Sequence, residues 1–207
     1  MKKRFFGLTV FLLLLHTAHA QVNWAVKAGF QYGSATIKLK DEKIASGSLP
    51  GLNIGITTRV PIDKQVYFAP GFHYTIKAYS IAATSTAPQK DYRFTYLELP
   101  ILLQINFSED AEQGAYFKIG PSLGLAIKGK ETFKNSFGNV TNNKLKFSFG
   151  EYGYADAAAH AFLGYTFKRG FFAEAGIVQN LGSISNDDFG HKITPRQLTV
   201  NLGYFIK

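Results

Sequence analysis

Ten charged or histidine side chains recur at alternate positions among small and polar residues, and their types could do chemistry. They are five cations, three carboxylates and two histidines: Lys27, Arg59, Lys77, Lys118, Lys128, Glu98, Asp156, Glu174, His73 and His160. If they share the inside of one fold, they must pair with each other, because an unpaired buried charge is very costly. We interpret them as a structural network of ion pairs and hydrogen bonds. A narrow polar path that slightly favours anions is the alternative.

A second group has the residue types that hydrolases and acyltransferases use. A serine nucleophile needs a histidine base and a carboxylate that orients the histidine. Ser183, Ser185, Asp187 and Asp188 all lie near His191, in a stretch that has the composition of a loop. Serine and aspartate are ordinary loop residues. We therefore expect no catalytic residue, and a lipid-modifying enzyme remains a second alternative.

Composition and motifs exclude several other kinds of site. The chain has no cysteine, which excludes thiolate metal sites, cysteine nucleophiles and disulfides. It has no phosphate-binding loop, no His-Glu-x-x-His motif and no dinucleotide fingerprint, so we expect no metal and no cofactor. The cations are spread along the chain rather than gathered on one aromatic face. We therefore expect no binding of nucleic acid.

The elements that must position these side chains are β-strands, because large apolar residues recur at every second position. The pattern is clearest near the C-terminus, where Leu198, Val200, Leu202, Tyr204 and Ile206 share one face. Eight such stretches occur, and most are longer than the strands of soluble proteins. A strand that crosses a bilayer needs about nine to eleven residues. Large apolar residues on one face and small or polar residues on the other predict a barrel that is apolar outside and polar inside.

The predicted connections alternate between long and short. They cover residues 38–51, 61–65, 82–91, 108–114, 130–147, 168–170 and 182–196. Outer-membrane barrels have short periplasmic turns and long outer loops, which gives this alternation. The sequence therefore predicts an all-β fold: an eight-stranded antiparallel up-and-down transmembrane β-barrel with both chain ends on the periplasmic side.

The N-terminus has the three parts of an export signal. A basic start precedes an apolar run over residues 5–15, and Ala18 and Ala20 supply the small residues before a cleavage site. We expect a cleaved signal peptide at 1–20 and a single outer-membrane β-barrel domain at 21–207. Loss of the signal would lower the formal net charge from +9 to +6, since three basic residues leave with it.

Three prolines lie inside neighbouring predicted strands, at similar distances from the periplasmic end. They are Pro70, Pro100 and Pro121. Proline gives no ladder hydrogen bond and is usually confined to bulges and edges. We expect a belt of bulges that sets the curvature of the barrel. A weakened seam that flexes or binds a partner is the alternative.

Motifs in the same strands resemble those of a known family. The stretch YLELPILL, from Tyr96 to Leu103, resembles the Y-x-E-[IL]-P-[IL]-L strand of the PorT-like outer-membrane β-barrel family, common in Bacteroidetes. The Pro-Gly-Phe at 70–72 and the Gly-Pro-Ser at 120–122 are similar to other strand motifs of that family. The resemblance covers residues 22–207. It implies an outer-membrane location and, through one founding member, a link with protein secretion.

Together these features predict a small, monomeric outer-membrane β-barrel with a structural or binding role and no catalysis. That role would be in surface interaction, envelope integrity or as an accessory to protein secretion. The expected partners are outer-membrane lipid and other envelope or secretion proteins, bound through the outer loops or the periplasmic side. A narrow porin for small polar solutes is the alternative function.

Overall fold

The structure is a computed structural model, which describes residues 22–39, 42–83, 88–110, 113–134, 140–148, 152–185 and 192–206. The predicted signal peptide at 1–20 lies outside the described residues, so its cleavage stays a prediction. Within the described residues, no helix is long and apolar enough to cross a membrane.

Ten strands and one 3₁₀ turn, Lys168–Gly170, make up the described part of the chain. The strands are β1 Asn23–Leu39, β2 Glu42–Ala45, β3 Gly47–Pro61, β4 Val66–Ile81, β5 Gln89–Asn106, β6 Gly114–Lys134, β7 Val140–Lys144, β8 Ala155–Thr166, β9 Phe171–Asn180 and β10 Lys192–Ile206. Eight of them form a closed barrel of antiparallel neighbours in the order β1, β3, β4, β5, β6, β8, β9 and β10. The barrel closes where β10 pairs with β1, from Trp24 opposite Ile206 to Lys38 opposite Lys192. The predicted fold class is confirmed.

The connections separate the two ends of the barrel. Three short connections lie at one end, which we call the turn end. There the amides of Ile62 and Asp63 both donate to the carbonyl of Val66, and Arg169 and Gly170 adopt positive φ angles of 72° and 88°. The other end, which we call the loop end, carries the two short strands β2 and β7. They pair with the loop-end parts of β1 and β6 respectively.

The strands run further toward the loop end than the sequence predicts. Parts of the predicted connections 38–51, 130–147 and 182–196 belong to strands, including the whole of β2 and β7. The physical reason is that the backbone ladder continues after the outward side chains have become polar. The apolar alternation that revealed the strands stops at the edge of the apolar surface, whereas the hydrogen bonding does not.

The outward side chains of the barrel strands form a continuous apolar belt. Phe30, Leu163 and Leu202 are 73%, 62% and 67% exposed, and many other large apolar side chains accompany them. Aromatic pairs lie at the turn end of this belt, with ring centroids 5.0 Å apart in Tyr165–Phe167 and 4.9 Å apart in Phe171–Tyr204. A protein surrounded by water rarely exposes so large an apolar surface. A belt with flanking rings is typical of a barrel that faces lipid.

The interior is closely filled, and inward-facing glycines make room for large neighbours. A Cβ atom added at Gly164 would collide with the ring of Tyr116, which is itself 1% exposed. A Cβ atom at Gly203 would meet the ring of Phe172 in the same way. Glycine is required at both positions because an aromatic ring lies where a Cβ atom would be. Such glycines let eight strands enclose side chains of very different sizes.

The three prolines lie close together but do not form bulges. Pro70 pairs with Ile101, and the register of β5 with β6 makes Pro121 the counterpart of the same Ile101. Along the described strands the register continues unshifted past each proline. The β4–β5 and β5–β6 ladders each skip only two positions there. The predicted belt of bulges is therefore wrong. A missing amide hydrogen removes a ladder bond without requiring an extra residue.

Close packing at the inward glycines gives a first prediction. Gly164→Ala should lower the free energy of unfolding by about 1–3 kcal/mol, because the new methyl group overpacks the site under Tyr116. Gly182→Ala is the matched control, since nothing lies within 4 Å of a Cβ atom at that position. The free energy of unfolding of both variants is measured by urea unfolding of the refolded barrel. Heat-modifiable migration on gels reports the folded fraction. Equal stability of the two variants would contradict the packing described.

Candidate functional site

The structure places nine of the ten residues predicted for the interior there, and one outside. Lys27, Arg59, His73, Lys77, Glu98, Lys118, Asp156, His160 and Glu174 are all less than 9% exposed. Lys128 is exposed on the outer wall, so its predicted position inside the barrel is wrong. Four described cations therefore face three carboxylates in the interior, and the predicted excess of positive charge becomes smaller.

A bulge in β6 explains the position of Lys128. Thr95 pairs with Lys128, but the next residue of β5, Tyr96, pairs with Ala126, so Ile127 is an extra residue in its strand. One extra residue exchanges the two faces of a strand. Ala126 is buried and Lys128 is exposed, as this exchange requires. Simple alternation along β6 cannot reveal the change.

Glu174 is the centre of the first buried ion cluster. Its Oε1 is 2.9 Å from Nζ of Lys27, and its Oε2 is 2.9 Å from Nζ of Lys118. Tyr116 donates its hydroxyl to Oε2 at 3.1 Å, and Asn201 donates its amide to Oε1 at 3.0 Å. The Glu174 side chain is fully buried. One carboxylate on β9 thus connects β1, β6 and β10 across the inside of the barrel.

Lys77 is the centre of the second buried cluster. Its Nζ is 2.7 Å from Oε1 of Glu98 and 2.7 Å from Oδ2 of Asp156. Asn180 donates to the other oxygen of Asp156 at 2.6 Å, and Lys77 also lies over the ring of Tyr96. The side chains of all three charged residues are at most 4% exposed. The second cluster therefore connects β4, β5, β8 and β9.

The remaining interior groups complete the filling toward the turn end. Arg59 places its guanidinium carbon 4.3 Å from the ring centroid of Phe205 and 5.1 Å from that of Tyr67. His160 and Ser122 form a hydrogen bond of 2.7 Å between Nε2 and Oγ. The other ring nitrogen of His160 has no hydrogen-bond partner among the described residues, and both residues are buried away from the belt. A histidine without an orienting carboxylate does not form a catalytic triad.

An aromatic cluster, which the alternating pattern alone does not predict, closes the loop end. The rings of Tyr79 and Tyr92 stack at 5.1 Å, and Phe94 and Tyr96 continue the row. Tyr152, which lies between β7 and β8, packs on Phe94 at 5.1 Å. We call these five residues the aromatic plug. The alternate aromatics of β5 were the available signal, since they continue the inward-facing row of that strand.

Two loop segments fold inward onto the aromatic plug. Ile184, between β9 and β10, is 2% exposed, and its carbonyl accepts a hydrogen bond from the amide of Gly153 at 3.0 Å. Tyr92 donates its hydroxyl to Glu131 at 2.6 Å. Burial, and then this hydrogen bond, raise the pKa of Tyr92 above its usual value, so the phenol stays protonated. Parts of the long loops therefore close the mouth of the barrel.

The candidate hydrolase residues are only partly within the described structure. His191, Asp187 and Asp188 lie outside the described residues. The hydroxyl of Ser183 accepts hydrogen bonds from the amides of Ser185 and Ile193 at 3.1 and 3.0 Å, and it donates to the carbonyl of Ser185. This serine ties together the two sides of its loop. In the part of the chain that the structure describes, no cluster of three or more metal-ligating side chains occurs.

A closed antiparallel barrel with an apolar outer belt and a filled, charged interior defines the class of small membrane-spanning β-barrels. Residues 17–186 match the family described as "Outer membrane protein beta-barrel domain". The chain belongs to this family, and the protein is a small outer-membrane β-barrel.

Several solved structures superpose on this chain at low sequence identity. Neisserial surface protein A superposes with a TM-score of 0.50 at 13% identity, covering 88% of this chain and 97% of that one. OprG of Pseudomonas aeruginosa gives 0.47 at 12% identity, covering 91% and 98% of the two chains. Ail of Yersinia pestis gives 0.44 at 14% identity, covering 88% and 98%. At such identities the first of these shows the fold alone. No curated protein matches the chain.

The two ion clusters give a graded prediction. Glu174→Gln should lower the free energy of unfolding by about 3–5 kcal/mol, because Lys27 and Lys118 both lose their buried carboxylate partner. Glu98→Gln should cost less, since Lys77 keeps Asp156. Glu109→Gln, in an exposed turn, should change stability by less than about 0.5 kcal/mol. Urea unfolding measures the free energy of unfolding of the three variants. The largest loss in Glu98→Gln would contradict the central role given to Glu174.

Proposed function

We propose that this protein is a non-conducting scaffold of the outer membrane, with a structural and binding role and no catalytic activity. The observation that carries the proposal is the filling of the interior from end to end. The Glu174 and Lys77 clusters occupy the middle, and the aromatic plug occupies the loop end. An eight-stranded barrel is only wide enough to be filled by its own side chains.

The closure of the barrel supports a monomeric anchor. Strands β10 and β1 pair along fifteen positions, so the barrel wall has no open edge for a second chain to extend. We infer that the partners are outer-membrane lipid and other envelope proteins, contacted through the loop end or the periplasmic turn end. Export by a signal peptide, and a role beside a secretion apparatus like that implied by the PorT-like motifs, are part of this proposal.

Two rival functions have weaker support. A narrow porin needs a continuous polar path, whereas the aromatic plug lies across one end of the polar interior. A lipid-modifying enzyme needs a hydroxyl that can attack, whereas the Ser183 hydroxyl is used in three loop hydrogen bonds. Rigid scaffolds commonly carry their interactions on exposed irregular segments, which favours a binding role for the loop end.

Planar-bilayer recording tests the proposal. The purified barrel should show no channel events, because the interior side chains that the structure describes fill a barrel of this width. Lys118→Ala should unfold at lower urea concentration and remain silent, because Glu174 keeps Lys27 while the aromatic plug stays in place. Tyr152→Ala, which removes one ring of the plug, should also remain silent because the ion clusters persist. A steady conductance of the wild-type protein would overturn the proposal in favour of the porin.

A further inference from the structure

Two rows of cations cross the outer wall of the barrel near the loop end. In each row, three basic residues are direct cross-strand neighbours on adjacent strands, and all six are exposed. The rows are Arg93–Lys130–Lys144 on β5, β6 and β7, and Lys192–Lys38–Lys43 on β10, β1 and β2. In the order of strands around the barrel, β5 and β6 lie opposite β10 and β1. The arrangement therefore recurs on opposite walls.

The first row is part of a larger basic patch. Lys128, which the β6 bulge turns outward, lies two residues before Lys130 on the same strand. Lys146 follows Lys144 in the same way, and the amide of Leu145 donates to the carbonyl of Gly129 at 3.0 Å between these two pairs of lysines. We call Arg93, Lys128, Lys130, Lys144 and Lys146 the basic patch. All five side chains are exposed.

The charge of this patch is not offset by a carboxylate ion pair within the part of the chain that the structure describes. Directly opposite residues have their Cβ atoms about 4.5–5.5 Å apart, and like charges at that distance destabilise a sheet. Among the described residues, none of the five forms an ion pair with a carboxylate. The carboxylate that shares the wall, Asp91, is 8% exposed and accepts a hydrogen bond from Gln89 at 2.9 Å. Arg93 is held in place through a hydrogen bond to the carbonyl of Pro50.

The patch lies where lipid headgroups begin. Ile127 is the last lipid-facing residue of β6 and is 48% exposed, and Lys128 follows it immediately. A strand rises about 3.3 Å per residue and tilts by about 40°, so Lys128 and Lys130 lie within about 8 Å of the end of the belt. The headgroup layer occupies roughly this zone beyond the hydrocarbon core. Because short turns are periplasmic in outer-membrane barrels, the patch faces the outer leaflet.

We propose that the basic patch binds the phosphate groups of outer-leaflet lipid headgroups. A phosphate placed between lysines of neighbouring strands converts their repulsion into attraction and forms charge-assisted hydrogen bonds with more than one of them. The occupant is a lipid rather than a free anion, because the patch is an open wall continuous with the apolar belt. Acyl chains held against the belt bring their headgroups to the patch at high local concentration.

Native mass spectrometry of the full-length folded barrel in neutral detergent tests this inference. The probes are diphosphorylated lipid A and the same lipid with both phosphates removed. The wild-type protein should retain the phosphorylated lipid with at least about tenfold higher affinity. K128Q/K130Q/K144Q should lose most of this preference. K64Q/K168Q/R169Q, which removes three exposed cations at the turn end, is the matched control and should keep the preference.

Several results would overturn the inference. They are equal retention of the two lipids by the wild type, equal loss of preference in the two triple variants, and displacement of lipid A by an equal concentration of inorganic phosphate. Heat-modifiable migration shows whether each variant is folded. If K128Q/K130Q/K144Q does not fold, the salt dependence of lipid binding by the wild-type protein tests the inference instead. Its preference should fall between 0.1 M and 1 M NaCl, because salt shortens the Debye length from about 10 Å to about 3 Å. A preference unchanged by salt would also overturn the inference.

Discussion

A backbone inside a bilayer has no water to bond to, so each strand of this protein must find hydrogen-bond partners on both sides. The pairing of β10 with β1 meets that requirement for the two strands that would otherwise be edges. Closure then fixes much of the remaining structure. With eight strands the barrel is narrow, its outer face must be apolar, and everything on its inner face must be satisfied without bulk water.

The two ion clusters meet this requirement with shared partners rather than with isolated pairs. Glu174 serves two lysines, a phenol and an amide, while Lys77 serves two carboxylates. Because each central group contacts several strands, the charges also fix how those strands sit across the barrel. Space for large inward side chains comes from glycines on neighbouring strands, as at Gly164 beside Tyr116. Charge pairing and glycine placement therefore both contribute to filling the same narrow interior.

Period-two alternation predicted the eight barrel strands and nine of the ten interior residues because both depend only on which face of a strand is apolar. Lys128 was misplaced because a single extra residue, Ile127, exchanges the faces of β6, and one sequence does not mark such a bulge. The aromatic plug was missed for a different reason. Its members on β4 and β5 meet Tyr152 and Ile184 only through loops that fold back into the barrel, and such contacts have no periodicity. The alternation also placed the three prolines within neighbouring strands. Whether a proline forms a bulge depends on the pairing with those neighbours, which one strand's sequence does not show.

The cation rows, like the β6 bulge, become visible only when the pairing between strands is known. Along β6, Lys128 and Lys130 look like ordinary polar residues at the end of a membrane strand. Only the register places Lys130 between Arg93 and Lys144, so that positive charge accumulates across strands rather than along one of them. Inside the barrel the chain compensates every central carboxylate with lysine, whereas on this outer wall it leaves five cations without a carboxylate partner among the described residues. Under the proposed lipid binding, the anions that offset these like-charge neighbours come from lipid headgroups rather than from the chain.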